Sequence, residues 1–170
     1  MNISKANSSD TPAIVALLNS AYRGELSTKG WTTEAHLIAG DVRTNENSVI
    51  DVLDQHGSVI LKCTNEDGII VGTVNLQQHG NRLYLGMFAV SPQLQGSGIG
   101  KLLLNAAEVH ARQVGCSSIY MSVISVRKEL IDWYMRHGYI DTGERKPFHE
   151  DGLTGRHLQP LEFSILEKAV

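Results

Sequence analysis

Three glycines, Gly96, Gly98 and Gly100, alternate with other residues between two segments of contrasting pattern. Residues 82–90 are apolar and rich in β-forming types, which predicts a strand. Over residues 99–114, leucine, alanine and valine recur at helical spacing. A strand that enters a helix through such a loop directs several backbone N–H groups, and the positive end of the helix dipole, at one point. The segment therefore predicts a binding site for a phosphate group.

Two well-known phosphate loops do not match this segment. A Walker A loop requires Gly-x-x-x-x-Gly-Lys-Ser/Thr, but this chain has Gln95 at the first glycine and Leu102 at the hydroxyl position. A dinucleotide loop requires Gly-x-Gly-x-x-Gly and an acid about 20 residues later. Here Lys101 replaces the third glycine, and residues 117–126 contain no acid. A tight turn without a ligand is the remaining alternative, although such a turn does not require three alternating glycines.

The surrounding pattern predicts a single α+β domain over residues 1–170. Turn signals at 65–68 and 79–81 join three strands into an antiparallel meander, whereas the strand–helix–strand unit around the glycine loop requires parallel strands. We expect a mixed, mostly antiparallel sheet of six or seven strands, flanked by about four helices in three layers. The predicted elements are strands at 2–6, 58–64, 69–79, 82–90, 117–126, 139–146 and 160–168, helices at 12–22, 48–56, 99–114 and 128–137, and a short helical piece near 33–39.

The loop Gln95-x-x-Gly98-x-Gly100 resembles the Arg/Gln-x-x-Gly-x-Gly/Ala loop of the GNAT superfamily of acetyl-CoA-dependent N-acetyltransferases. The order of elements is also the one these enzymes have, and the likeness is strongest over residues 69–139. The resemblance implies the GNAT fold, in which two parallel strands splay apart at the acetyl-CoA site and the loop amides hold the coenzyme A pyrophosphate. The cofactor-binding residues it implies are Met87, Phe88, Ala89, Val90, Gln95, Gly96, Ser97, Gly98, Ile99, Gly100, Lys101 and Arg127.

The same resemblance implies how the acyl end of acetyl-CoA is held. Backbone groups near Phe88 and Val90 would pair with the pantetheine arm as a missing strand does. The amide groups around Met87 and Phe88 would stabilise the oxyanion that forms during acyl transfer.

A second segment contains Tyr134, Gly138 and Tyr139, and it resembles the family pattern Asn-x-x-Ala-x-x-x-Tyr-x-x-x-Gly-Phe. The resemblance implies that Tyr134 is a general acid near the coenzyme A sulphur. A tyrosine has an ordinary pKa of about 10, so at neutral pH it keeps the proton that a leaving thiolate needs. The alternative is a tyrosine packed in the core with its hydroxyl bonded. Arg127 stands at the asparagine position of this pattern, and Leu130 stands at the alanine position. Since the family's asparagine contacts the cofactor, that contact is in doubt in this chain.

The resemblance implies transfer of an acetyl group from acetyl-CoA to a primary amine, by direct attack in a ternary complex. We expect the acceptor to be a small metabolite or an amino-acid-like molecule, and the alternative is a protein N-terminus or lysine. A non-catalytic acyl-CoA-binding sensor and a nucleotide-binding module are rivals of other classes. Segments 22–46 and 147–159 would flank the acetyl end and set the specificity for the acceptor. The basic residues in and beside them could hold a substrate carboxylate or phosphate, although a solvated loop surface explains them better: Arg23, Lys29, Arg43, Arg145, Lys146 and Arg156. The substrate candidates are Tyr22, Arg23, Trp31 and Tyr84, of which Tyr22 and Trp31 are equally explained as packing residues.

No aspartate or glutamate occurs between Gly68 and Ala107, so a carboxylate base on the fourth strand is excluded. We therefore hypothesise that no single side chain is the essential base. The remaining candidates are His79, a water relay past Tyr84, Glu25, Glu34, Glu150 and Asp151.

The composition of the chain limits the partners, the compartment and the metal sites that we expect. Charged residues make up 19% of the chain and the net charge is −3, so we expect no general attraction to nucleic acid or to an anionic membrane. No apolar run approaches the roughly 20 residues of a membrane helix, and residues 1–10 do not resemble a signal peptide, which favours the cytoplasm. Cys63 and Cys116 are expected to be buried thiols, and the seven histidines show no zinc-type pairing with cysteine. We expect no metal, and the sequence leaves open a monomer or a homodimer.

Overall fold

Seven strands form one mixed sheet in the structure, a computed structural model that describes residues 1–170. The nine strands are β1 Asn2–Lys5, β2 Ile38–Ala39, β3 Ser58–Thr64, β4 Ile70–His79, β5 Arg82–Val90, β6 Ser118–Ile124, β7 Ile140–Phe148, β8 Arg156–His157 and β9 Leu161–Ala169. The order across the large sheet is β1-β3-β4-β5-β6-β9-β7, and only β5 and β6 are parallel. This confirms the predicted mixed sheet with one parallel pair.

Five helices accompany the sheet: α1 Thr11–Tyr22, α2 Gly24–Ser27, α3 Glu46–Asp54, α4 Ile99–Gln113 and α5 Lys128–Arg136. Helix α3 begins two residues earlier than predicted because the side chain of Asn45 caps it by accepting a hydrogen bond from the Ser48 N–H at 2.9 Å. The predicted helical piece near 33–39 is wrong. Its last residues form β2, which pairs with β8 more than 100 residues later in the chain, and a local pattern does not reveal such a partner.

The helices cover both faces of the large sheet. Along β3, Ile60 packs with α1 and α3, whereas Leu61 and Cys63 pack with the cluster that includes α4, as expected for side chains that alternate across a strand. Gly72 on β4 lets α4 approach closely, since a Cβ there would lie 2.9 Å from the Ile99 side chain. The result is the expected three-layer arrangement. No helix has both the length and the apolar character needed to cross a bilayer.

The parallel strands β5 and β6 separate soon after they begin to pair. Their register runs only from Arg82↔Ser118 to Tyr84↔Tyr120. Farther along β5, residues 87–88 lie opposite the single residue Val74, which is a β-bulge. Met87 adopts a positive φ of 46° there, and it is the only non-glycine residue to do so. A β-bulge bends its strand. This bulge lies just beyond the point where β5 stops pairing with β6.

Candidate active site

A groove of about 660 Å³ lies between the end of β5, the glycine loop and one face of α5. Its volume falls within the roughly 300–1,000 Å³ that small-molecule and cofactor sites occupy. Phe88, Ala89 and Val90 contribute the β5 side, and Gln95, Gly96, Gly98, Gly100 and Lys101 contribute the loop. Eight of the predicted cofactor residues thus line a single groove.

The glycine loop presents a row of backbone N–H groups without protein acceptors. Gly96 and Gly98 adopt φ values of 86° and 91°, a region that strongly favours glycine. The first backbone bond of α4 runs from the Leu102 N–H to the Gly98 carbonyl at 3.1 Å, so the N–H groups of Gly96 and of residues 98–101 have no backbone acceptor. The first turn of α4 contains no acid. Free N–H donors at the start of a 15-residue helix form a site for an anion.

Gln95 connects this loop to residues 31–32. Its Oε1 accepts hydrogen bonds from the N–H groups of Trp31 at 2.7 Å and Thr32 at 3.3 Å. Its Nε2 donates to the Thr32 Oγ1 at 2.8 Å and to the Val90 carbonyl at 3.1 Å. The side-chain amide is thus already bonded within the protein. Trp31, predicted at the substrate, instead lines the larger groove.

Four other predicted cofactor residues lie outside the larger groove. Ile99 is buried in the core, and the Ser97 hydroxyl donates to the Leu94 carbonyl. Met87 and Arg127 line a second, smaller cavity. The Arg127 side chain bonds to Glu34 and to the Thr32 carbonyl, so it is not available at the position of the family's asparagine.

This second cavity has a volume of about 110 Å³ and lies in the gap between β5 and β6. Tyr22, Tyr84 and Tyr134 meet there beside the bulge, and the Tyr22 hydroxyl donates to the Phe88 carbonyl. Burial, together with the nearby Glu34 carboxylate, raises the pKa of Tyr22 to about 12. The cavity therefore combines aromatic walls with hydroxyl groups next to the strained part of β5.

Tyr134 is 4% exposed, and its ring centroid lies 6.1 Å from that of Phe88. Burial, and then the neighbouring Tyr22, raises the pKa of Tyr134 well above its ordinary value. The Tyr134 hydroxyl therefore keeps its proton throughout the physiological pH range, as a proton donor must.

A buried ion cluster adjoins the smaller cavity. Glu34 pairs with Arg23 through one carboxylate oxygen and with Arg127 through the other, at 3.3 Å for the second pair. Arg23 also donates to the Thr154 carbonyl at 3.0 Å, and Arg127 to the Thr32 carbonyl at 2.8 Å. Arg23, predicted as a substrate residue, therefore lines neither cavity. It ties α1 to the segment before β8.

None of the proposed carboxylate or histidine bases is free at the smaller cavity. Glu34 lines it but is held in two ion pairs. His79, Glu25, Glu150 and Asp151 line neither cavity. Tyr84 does line the smaller one, and the relay past it stays a prediction. No group of three or more His, Cys, Asp or Glu side chains is arranged to hold a metal ion.

One side of the larger groove, here called the α5 wall, is formed by residues of α5 and by His137, and it was not predicted from the sequence. The lining residues there are Glu129, Leu130, Asp132, Trp133, Arg136 and His137. Their spacing of three and four residues places them on one helix face, and this spacing could have predicted that they act together. Trp133 is the centre of this wall, with ring centroids 6.0 Å from Phe88 and 4.3 Å from His137. Arg43, which was explained better as solvated loop surface than as a contact for a substrate carboxylate or phosphate, lines the smaller cavity. A loop has no periodicity to indicate which way such a side chain faces.

Comparison with known proteins gives the family of this fold. The model of the Acetyltransferase (GNAT) family matches residues 12–139. The chain therefore belongs to the GNAT acetyltransferase family, as the glycine loop indicated.

Two curated relatives share part of the sequence. Thialysine N-epsilon-acetyltransferase of Sus scrofa is 32% identical over 83 residues, and that of Bos taurus is 35% identical over 83 residues. Each match covers 48% of this chain and 48% of the relative, so the chain spans about half the length of the curated relatives it matches.

Solved structures extend the likeness of fold to the whole chain. The ribosomal-protein-alanine N-acetyltransferase from Brucella melitensis has a TM-score of 0.74 at 18% identity and covers 100% of both chains. The ribosomal-protein-S18-alanine N-acetyltransferase from Escherichia coli has a TM-score of 0.72 at 15% identity, covering 99% of this chain and 93% of its own.

Proposed function

We propose that this protein transfers an acetyl group from acetyl-CoA to the primary amine of a small, amino-acid-like acceptor in a ternary complex. The observation that carries the proposal is the set of five N–H groups without a backbone acceptor in the glycine loop and the first turn of α4, beside a groove of about 660 Å³. Such donors suit a pyrophosphate. Lys101, in the first turn of α4, adds a positive charge beside them.

Coenzyme A fits this arrangement with one change to the expected contacts. Backbone groups near Phe88 and Val90 are expected to pair with the pantetheine arm, but the carbonyls of these two residues already accept hydrogen bonds from Tyr22 and Gln95. The arm would therefore rely on the remaining backbone groups of β5 and on the Trp133 wall of the groove. When bound, the coenzyme supplies the acetyl group as a thioester and leaves as a thiol.

Tyr134 is the residue we assign as the general acid. Its hydroxyl belongs to a cavity that adjoins the groove through the shared residues Tyr22, Phe88 and Leu130. The neutral amine nitrogen would bond to the acetyl carbon first, and the C–S bond would then break. Because its pKa is raised well above the ordinary value, Tyr134 holds a proton to donate to the departing sulphur, and the proton that the nitrogen loses would pass through water to restore the tyrosine. Amide groups at the Met87–Phe88 bulge would stabilise the developing oxyanion.

A small acceptor suits the size of the smaller cavity. At about 110 Å³, it has room for a few groups the size of a water molecule, each of which occupies roughly 30 Å³ in the liquid. The names of the two curated relatives specify the ε-amine of an amino acid, which supports an acceptor of that type over a protein N-terminus.

The test is thiol release from acetyl-CoA across a panel of amino acids, diamines and peptides. We expect amino acids with a terminal amine to be acetylated, and Tyr134→Phe to lower kcat by about 10²- to 10⁴-fold. The matched control is Tyr139→Phe, because the Tyr139 hydroxyl is buried without a hydrogen-bond partner and should leave kcat unchanged. Full kcat in Tyr134→Phe would reduce that tyrosine to a packing role.

The rival classes give different results. A non-catalytic sensor would bind coenzyme A, and be stabilised by it, without releasing thiol with any amine. A nucleotide-binding module would be stabilised more by ATP or NAD than by coenzyme A. A preference for peptides would favour the protein acceptor.

A further inference from the structure

The charges around the smaller cavity do not balance. Three arginines (Arg23, Arg43 and Arg127) and one carboxylate (Glu34) lie in or beside it, so three positive charges and one negative charge leave a net charge of +2. The Glu34 carboxylate is already shared between Arg23 and Arg127. No other acid lines the cavity.

Arg43 is the arginine left without a counter-ion. Arg43 lines the cavity and is half-buried. Its side chain takes part in none of the seven ion pairs of the protein. Arg23 and Arg127 each have a carboxylate and a carbonyl as partners. A guanidinium group matches a carboxylate with two parallel hydrogen bonds, and Arg43 can offer such a pair.

The backbone of Arg43 is held in place by α1. The N–H groups of Arg43 and Thr44 donate to the Asn19 Oδ1 at 2.6 and 3.0 Å. The Arg43 guanidinium carbon lies 5.9 Å from the centroid of the Tyr22 ring. The hydroxyl at the far end of that ring reaches the Phe88 carbonyl at the bulge. One tyrosine side chain therefore separates the unpaired cation from the proposed reaction centre.

A positively charged cavity discriminates among amines. An acceptor that carries only amines would add charge of the same sign beside an unpaired arginine, whereas a carboxylate would neutralise one charge and gain charge-assisted hydrogen bonds. The small volume of the cavity favours a single carboxylate over a bulkier anion such as a phosphate ester.

We propose that the acceptor is an amino acid with a free carboxylate, which the Arg43 guanidinium binds while the reacting amine faces the bulge at residues 87–88. This inference rests on the proposed function and adds the recognition of a carboxylate to it. Arg43 is thus a specificity-determining residue.

The first test keeps the protein unchanged and varies the acceptor. L-Lysine, L-lysinamide and cadaverine share the same amine-bearing chain, but only lysine has a carboxylate. We expect kcat/KM to be about 10- to 100-fold lower for the amide and the diamine, the effect of losing one charge-assisted interaction. Equal kcat/KM values for all three would overturn the inference. Preference for an amine that bears a phosphate ester and no carboxylate, such as phosphoethanolamine, would overturn it as well.

The second test varies Arg43. Arg43→Gln should raise KM for lysine by a similar factor, raise kcat/KM for lysinamide because a like charge is removed, and leave the Kd of coenzyme A unchanged. Arg43→Lys should recover part of the lysine activity. Arg112→Gln, in the exposed last turn of α4, is the matched control and should change nothing. An equal loss for lysine and lysinamide in Arg43→Gln would contradict carboxylate binding.

The two proposals fail in different ways. Acetylation of lysine, its amide and the diamine at similar rates removes the role of Arg43 and leaves the acetyltransferase function intact. Absence of acetyl transfer to every amine removes both.

Discussion

Glu34→Gln is expected to destabilise the protein strongly, because it removes the only negative charge in a buried cluster. The side chains of Arg23, Arg127 and Glu34 are 0%, 6% and 11% exposed. Glutamine has nearly the shape of glutamate, so the substitution changes the charge with little effect on packing. It would leave two buried arginines without a counter-ion.

The magnitude follows from this burial. Removing one partner of a buried ion pair typically costs about 3–5 kcal/mol, because an uncompensated charge remains inside the protein. For a chain of 150–250 residues, each kcal/mol lowers Tm by about 2–4 °C. We therefore expect Tm to fall by about 6–20 °C in Glu34→Gln.

The assay is thermal unfolding of the variant followed by circular dichroism, with urea unfolding to give the free energy directly. Glu25→Gln is the matched control, since Glu25 is an exposed acid on α2 without an ion pair. Its effect should stay within about 0.5 kcal/mol. The double variant Glu34→Gln/Arg127→Gln should lose less free energy of unfolding than the two single variants do together. It removes the Glu34 carboxylate and also one of the two arginines that this carboxylate neutralises.

A fall in Tm no larger than that of Glu25→Gln would refute the reasoning. Strict additivity in the double variant would show that Glu34 and Arg127 do not interact energetically, despite the distance of 3.3 Å between them.

Three further predictions concern the glycine loop, the acid and the thiols. Gly98→Ala and Gly68→Ala replace glycines at similar positive φ, the second in a hairpin turn, so both should lower Tm by comparable amounts. Only Gly98→Ala should raise the Kd of coenzyme A. Equal Kd values for the two variants would contradict the phosphate site. The kcat should show no alkaline loss below about pH 10, because an acid acts while protonated and the pKa of Tyr134 is raised; a falling limb near pH 8 would exclude this acid. Cys63 and Cys116 should react with a disulfide reagent only on unfolding, because both are buried and burial raises the pKa of each thiol; rapid reaction of the native protein would contradict their burial.

Much of the fold was predictable because it is encoded in short stretches. The alternating glycines that take positive φ at positions 96 and 98, the proline in the first turn of α1 and the turns between β3, β4 and β5 are all local. Even so, the helical piece near 33–39 was predicted wrongly. Those residues contribute β2, whose partner β8 lies in a distant loop.

The placement of charged side chains was the hardest part to predict. Arg127 matched the position of a cofactor-binding asparagine in the family pattern, but its side chain turns to Glu34, which lies 93 residues away in the sequence. Trp31 was expected at the substrate and lies instead in the larger groove with Trp133. Both outcomes depend on where residues 31–34 pack, and nothing in that segment has a period that indicates its position.

The sequence by itself indicated the family and predicted a glycine loop between a strand and a helix, because glycines and a helix start favour that backbone geometry without help from distant residues. Only the tertiary structure decided what surrounds the smaller cavity. The bulge that separates β5 from β6, the pairing of Glu34 with two arginines and the isolation of Arg43 all arise from contacts between segments far apart in the chain. The charge of a cavity is the sum over such contacts. In the sequence Arg43 is one of six basic residues that could hold a carboxylate, and only the folded chain distinguishes it from the others.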